Sequence, residues 1–280
     1  MAILLAVLLG VIQGVTEFLP ISSTAHMTIF GHLCGMLDPQ HPERWTATIA
    51  IVQLGTLGAV LAYFAGDVRT ITAAVLRQTF VERIPPHRQG GAARLGWLVV
   101  GGSIPIGVLG LAFRSVIEGP LTKNPLLIVA MLASVAFLML YAERMPGQRL
   151  LEELNFRDAV VVGIAQAMAL LPGASRSGTT ISVGLLLGYT REAAARFSFL
   201  LSIPALLASG LLELVSALQI LPSADLQEVV IATLVAALSG YGAIAFLLHY
   251  LRTHRLDVFA YYRLGIAVLI GVLLWNGVLQ

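Results

Sequence analysis

An all-α polytopic membrane protein is the fold class this sequence predicts, with about six transmembrane helices and two re-entrant helix-turn-helix hairpins. Three observations predict it. Hydrophobic residues make up 58% of the 280 and charged residues 11%, against the roughly 25% charged of a soluble domain, and the mean hydropathy is +0.87. Six apolar stretches reach the roughly 20 residues needed to cross a hydrocarbon core. Two more fall short because each is cut by a polar turn that contains a proline.

In chain order, the first element is a broken one: an apolar arm over 2–19, a break at PISSTA, and a second arm to about 37. Spans follow at roughly 46–65, 94–113 and 124–142. The second broken element runs over 158–171, breaks at PGASRSG and resumes to about 188, and spans at roughly 192–217, 227–251 and 257–278 complete the chain. Irregular backbone at membrane depth is tolerated only where protein or a water-filled cavity surrounds it, so helix, polar turn, helix within one short stretch reads as a re-entrant hairpin. The whole chain, 1–280, reads as one integral membrane domain.

The two broken elements resemble each other. From Gly10 and from Gly163, with one gap, Gly, Gln, Leu, Pro and Ser recur in the same order. Each half, about 1–142 and 143–280, then holds one broken hairpin and three spans. An odd number of crossings per half inverts the second against the first, which brings broken segments from opposite faces together near the midplane. Independent use of Gly, Pro and Ser in two turns is the other reading of the similarity.

Charge and cysteine content narrow the function. The net charge is +2 and the basic residues are scattered through loops, which argues against nucleic acid. A single cysteine, Cys34, excludes an internal disulfide and a cysteine-based metal site. The N-terminus lacks a positive n-region and a clean cleavage site, and is expected to belong to the mature protein. Arg69, Arg77, Arg83, Arg88, Arg94, Arg144, Arg149, Arg157, Arg252 and Arg255 fall on one side of the six-span arrangement. The other side carries mainly Arg44, Arg114 and Lys123 beside Asp38, Glu43, Glu118, Asp225 and Glu228. The positive-inside rule puts the arginine-rich side in the cytoplasm and both termini outside.

The polar residues that stand out lie in the two breaks. Gln13 and Glu17 are four apart and share a helix face. Ser22, Ser23 and Thr24 follow Pro20 at the start of an apolar helix, as N-caps do, and His26 lies in its first turn. Free N–H groups at a helix start attract anions, while Glu17 repels them unless a cation, a proton or an arginine lies between. In PGASRSGTT, Gly173 and Gly178 permit tight turns, Ser175, Ser177, Thr179 and Thr180 offer hydroxyls, and Arg176 is expected to be the only arginine at membrane depth. A guanidinium there matches a phosphate's bidentate geometry. The lysine and glycine order of a P-loop is absent. Together the two breaks hold hydroxyl, histidine, carboxylate and arginine around a phosphate-sized site, the inventory of phosphoryl transfer. A purely structural Glu17–Arg176 ion pair is the competing reading. Ser103, Ser209 and Ser239 are expected to bond their own backbone or a neighbouring helix, and His32 to be a helix-contact residue. Asp67, Glu82, Glu143, Glu152 and Glu153 read as solvated loop charges.

With those residues in view, the sequence resembles the bacterial undecaprenyl-diphosphatase family associated with bacitracin resistance. The resemblance runs nearly end to end and rests on QGVTEFLPISSTAH from Gln13 to His26, WTATIAIVQLG from Trp45 to Gly55, and LPGASRSGTTIS from Leu171 to Ser182. The family's glutamate-rich motif falls on Gln13 and Glu17, its hydroxyl–histidine motif on Ser22, Ser23 and His26, and its P-G-x-S-R-S motif on Pro172, Gly173, Ser175, Arg176 and Ser177, with Thr180 following. The resemblance implies hydrolysis of undecaprenyl diphosphate to the monophosphate and phosphate at the outer face of the bacterial cytoplasmic membrane, recycling the lipid carrier for cell-wall synthesis. It also implies a divalent cation, Mg2+ or Ca2+, near Gln13 and Glu17. Gln13 replaces the commoner first acid, and an amide oxygen can still ligate a hard cation.

Expected roles follow. Ser23 attacks the terminal phosphorus, Glu17 or His26 takes its proton, and Arg176 with Ser22, Thr24, Gly173, Ser175, Ser177 and Thr180 holds the phosphate oxygens; His26 as nucleophile is the rival assignment. The partners expected are the polyprenyl diphosphate and membrane lipids, with no nucleic acid and with room for a homodimer. A polyprenyl-phosphate transporter or flippase is the alternative function, because inverted repeats with broken hairpins are transporter architecture. The phosphatidic acid phosphatase type 2 signature is not met: its histidine, six residues after the arginine, would fall on Ser182.

Overall fold

The computed structural model of the chain describes residues 2–37, 40–113, 116, 124–145, 147–220 and 226–277, without the side chains of 42, 213, 215, 216 and 218. Among the described residues there are eleven α-helices. Helix α1, Ile3–Phe18, ends where Leu19 turns extended (ψ 144°), because the residue before a proline, here Pro20, is driven out of the helical region. Helix α2, Ser23–Leu33, starts from an N-cap at Ser22, whose side chain accepts from the Ala25 N–H. Helix α3, Pro42–Tyr63, opens on a proline and runs into α4, Ala65–Leu76, a helix between the first two spans that hydropathy did not predict. Helix α5 spans Gly91–Ala112, and α6 spans Pro125–Ala142 behind an Asn124 cap.

Five helices of the described residues form the second half. Helix α7, Phe156–Ala167, is capped by Asn155 and is followed by a 3-10 turn, Met168–Leu170. After the break comes α8, Arg176–Leu186, and then α9, Arg191–Ile220, α10, Leu226–Tyr250, and α11, Asp257–Trp275. Six helices, α3, α5, α6, α9, α10 and α11, are long and apolar enough to cross a membrane, and they cover the six stretches expected.

Packing is reciprocal between the halves. Helix α1 lies against α10, and α7 against α5; α3 pairs with α9, and α6 with α11. Small residues allow the two close crossings, as in other membrane helix pairs: a Cβ on Gly14 would run into Ser239 of α10, and one on Gly163 into the Gly102 carbonyl of α5. The core between them is sealed by Phe18, Phe64 and Phe199, whose rings meet at centroid distances of 5.7 and 6.2 Å. Large apolar side chains such as Leu234, Leu238 and Val268 cover the outer faces.

Ser103, Ser209 and Ser239 bond backbone carbonyls within their own helices, and Ser239 also reaches Gly10 of α1. Glu143 departs from expectation. Its side chain is fully buried and holds Arg191 in a fork of 2.9 and 2.6 Å, the Arg255 guanidinium at 3.4 Å and the Leu256 N–H at 2.8 Å. The residue follows α6 immediately, and its carboxylate is held by Arg191, Arg255 and Leu256 from far along the chain, which hydropathy alone does not reveal. Asp67 likewise pairs with Arg196 at 2.6 Å. In the second half, Arg149 and the Tyr189 hydroxyl meet Asp158 at 2.7 and 2.5 Å; burial, helped by this carboxylate, pushes the Tyr189 hydroxyl above its ordinary range. The orientation charges Asp38, Arg114, Glu118, Lys123 and Asp225 lie outside the described residues.

Candidate active site

The turns of the two broken elements are built alike. Each ends on a serine in the left-handed region, Ser22 at φ 75° and Ser175 at φ 65°, and each serine caps an eleven-residue helix. Non-glycine residues avoid that region, where the strain costs roughly 1–3 kcal/mol and clusters at functional sites. Gly173 adds a third left-handed residue at φ 92°, and a Cβ there would lie 2.6 Å from the Ile128 carbonyl oxygen.

Where the turns meet, Glu17 is the hub. Its Oε1 accepts from Arg176 Nη2 at 2.8 Å; its Oε2 accepts from Ser23 Oγ at 2.8 Å and from Gln13 Nε2 at 3.2 Å. The pair is largely buried, with 9% of the Glu17 and 11% of the Arg176 side chain exposed, so little solvent screens it. The turns are also tied directly, since Ser177 Oγ donates to the Leu19 carbonyl at 3.2 Å.

His26 is held at both ring nitrogens. Nδ1 lies 2.8 Å from the Ser22 carbonyl, which can only accept, so Nδ1 carries the proton; Nε2 lies 2.8 Å from the Tyr262 hydroxyl of α11. The two rings are parallel within 3°. Neither nitrogen is hydrogen-bonded to Ser23.

The remaining expected site residues divide. Ser175 caps α8 and sits 3.3 Å from Ser177 Oγ. Thr180 is fully buried, with its hydroxyl committed to the Arg176 carbonyl and to Ser198 of α9 at 2.6 Å. Thr24 is exposed at the start of α2, and no hydrogen bond joins its side chain to the cluster. Gln13 is buried, and its Oε1 has no hydrogen-bond partner.

Arg176 is not the only arginine at membrane depth. Arg263, in α11, is 0% exposed. Its guanidinium donates to the carbonyls of Pro20 in the first turn (3.3 Å) and of Gly173 and Ala174 in the second (2.9 and 3.2 Å), and to those of Leu132 and Met131 in α6 (both 3.3 Å). The signal was in the sequence, an ionisable residue inside the 257–278 span, but nothing in its neighbours YYRLG tied it to either break.

The described residues define the class: a helical membrane protein whose polar centre is two strained, serine-capped turns joined by an arginine–carboxylate pair. The family described as Bacitracin resistance protein BacA matches residues 6–269, and the chain belongs to that family. It is 51% identical to an undecaprenyl-diphosphatase of Syntrophobacter fumaroxidans over 98% of this chain and 97% of that one. It is 43% identical to an undecaprenyl-diphosphatase of Chloroherpeton thalassium over 100% and 99%, and 44% identical to one of Anaeromyxobacter sp. over 100% and 90%.

Proposed function

We infer that the protein is a phosphatase that hydrolyses undecaprenyl diphosphate to undecaprenyl phosphate and inorganic phosphate. The name shared by its full-length relatives supports this, and membership of the bacitracin resistance family fits a role in recycling the lipid carrier of the cell wall. The flippase alternative is not favoured, since those relatives are named for hydrolysis.

The observation that carries the chemistry is the Ser23–Glu17–Arg176 chain, two contacts of 2.8 Å in line. Ser23 Oγ attacks the terminal phosphorus and its proton passes to Glu17 Oε2. The bond to the bridging oxygen breaks, and its electron pair leaves on undecaprenyl phosphate. Water then attacks the phosphoserine, restoring the hydroxyl and releasing inorganic phosphate. A weak base suffices because such transition states are loose and depend mainly on positioning and charge neutralisation. Arg176 pairs with Glu17 at 2.8 Å and, with the free N–H groups at the starts of α2 and α8, receives the phosphate oxygens. His26 ranks below Ser23 as nucleophile because both its nitrogens are already engaged.

Gln13 and Glu17 fit a divalent cation, Mg2+ or Ca2+. Gln13 Oε1 is a buried oxygen without a hydrogen bond, one residue-turn from the carboxylate. Among the described residues no three His, Cys, Asp or Glu cluster as a full ligand set, and a hard cation can take its remaining oxygens from a diphosphate and water. When bound there, it supplies charge neutralisation to the diphosphate.

The proposed setting is the bacterial cytoplasmic membrane, with the broken elements entering from opposite faces as re-entrant hairpins of an inverted repeat and the site open outward. Reciprocal packing of α1 on α10 and α7 on α5 supports the repeat. The test is phosphate release by pure protein in detergent, where no second compartment exists, with the phosphoryl group trapped and located. Label on Ser23 is expected. Label on His26 reverses the assignment, and full activity in both Ser23→Ala and His26→Ala removes the site.

A further inference from the structure

We propose that Arg263 is a positioning residue of the phosphate site, locking the two turns in register and adding a second buried positive charge beside them. It rests on reading those turns as the site where phosphate is held.

Three features of the geometry point there. The guanidinium bridges the two turns, taking Pro20 from one and Gly173 and Ala174 from the other, so their separation is set by one rigid, planar group. Each of these peptides is planar, with its N–H opposite its carbonyl. Drawing the Ala174 carbonyl towards Arg263 therefore turns the Ser175 N–H away from it, and the strained conformations of Ser175 and Gly173 are held by the same donors. Last, among the described residues no acid pairs with Arg263; all five of its bonds go to neutral carbonyls.

A buried cation without a counter-ion is costly in a fold that needs only a brace. The cost falls when an anion arrives beside it. Glu17 already neutralises Arg176 at rest, so the uncompensated charge of the site is that of Arg263. It acts through the turns and through space. Arg176 and Ser23 meet the substrate themselves.

The full chain in detergent tests this with Arg263→Gln and Arg263→Lys, beside Ser23→Ala and Arg176→Ala. Turnover, KM and the thermal midpoint with and without inorganic pyrophosphate are measured for each. Arg263→Gln is expected to lose on the order of 100-fold in kcat, as small misplacements of catalytic groups do, and to lose the stabilisation that pyrophosphate gives the parent protein. Arg263→Lys keeps charge without the fork, so it is expected to regain stabilisation by pyrophosphate while kcat stays at least about tenfold down. A variant with a lowered midpoint but kcat and pyrophosphate response within twofold of the parent makes Arg263 a structural brace and overturns the proposal. If Arg263→Gln does not fold, Arg263→Lys decides by the same criterion. Full activity in Ser23→Ala and Arg176→Ala would instead remove the site reading itself.

Discussion

Glu17 accepts from an arginine, a serine and an amide, and each donor gives its carboxylate a different task. Arg176 pairs with it, Ser23 supplies the proton it would take, and Gln13 fixes its orientation. Glu17→Gln keeps the shape and removes the charge. We expect kcat to fall about 100- to 10,000-fold, the usual range for losing a general base, with a lowered thermal midpoint as well, because Arg176 is left buried without its partner. A loss of kcat under tenfold would mean that Glu17 serves mainly as a tether. Glu17, Ser23, His26 and Arg176 were legible because an ion or hydroxyl in an apolar window is costly and asks for a reason. The direction of a hydroxyl was not. Thr180 turns to Ser198, Ser177 to the Leu19 carbonyl, and Thr24 outward, since rotamer and neighbouring helix decide that and neither is local in sequence. Glu143 was misread as solvated for the same reason: its partners Arg191 and Arg255 lie far along the chain.

The turns carry the strain that gives the site its shape. Leu-Pro followed by a serine occurs in both, and the serine starts the second helix in each, as the repeated motif predicted. Pro20 stops α1, whereas α7 ends at Ala167 and a 3-10 turn, Met168–Leu170, leads to Pro172. From proline to capping serine the second turn is one residue longer than the first, and it contains Gly173, whose φ of 92° only glycine adopts readily. Gly173→Ala adds left-handed strain and places a Cβ 2.6 Å from the Ile128 oxygen. It should cost about 1–3 kcal/mol, read as a lower midpoint in detergent, together with reduced turnover from the displaced Ser175 and Arg176. Wild-type turnover in a folded Gly173→Ala protein would show that the second turn tolerates movement and that Arg263 does not fix it. Helix α4 was missed because its 12 residues pair an apolar side with Asp67 and Arg69, a pattern too short and too polar for a spanning window.

At the scale of the whole molecule, α1 of the first half packs on α10 of the second and α7 of the second on α5 of the first, and the charged loops are expected to set which way round the result sits in the membrane. Spans were legible because hydrocarbon imposes one length and one composition on them; which helix packs on which was not, since all six offer similar apolar faces. Orientation follows from arginine. The α4–α5 connection holds Arg77, Arg83 and Arg88, and the α10–α11 connection holds Arg252 and Arg255, an excess expected to keep both on the cytoplasmic side by the positive-inside rule. The α2–α3 connection holds none between Gly35 and His41, so it should face outward, and with it the mouth of the first hairpin. Replacing Cys34, the chain's only cysteine, by alanine gives a background for single cysteines at exposed His41, Arg83 and His254. An impermeant thiol reagent on intact cells is expected to label His41→Cys, and to label Arg83→Cys and His254→Cys only after permeabilisation. The reverse pattern would turn the molecule over, and a phosphatase opening inward would then draw its substrate from the cytoplasmic leaflet.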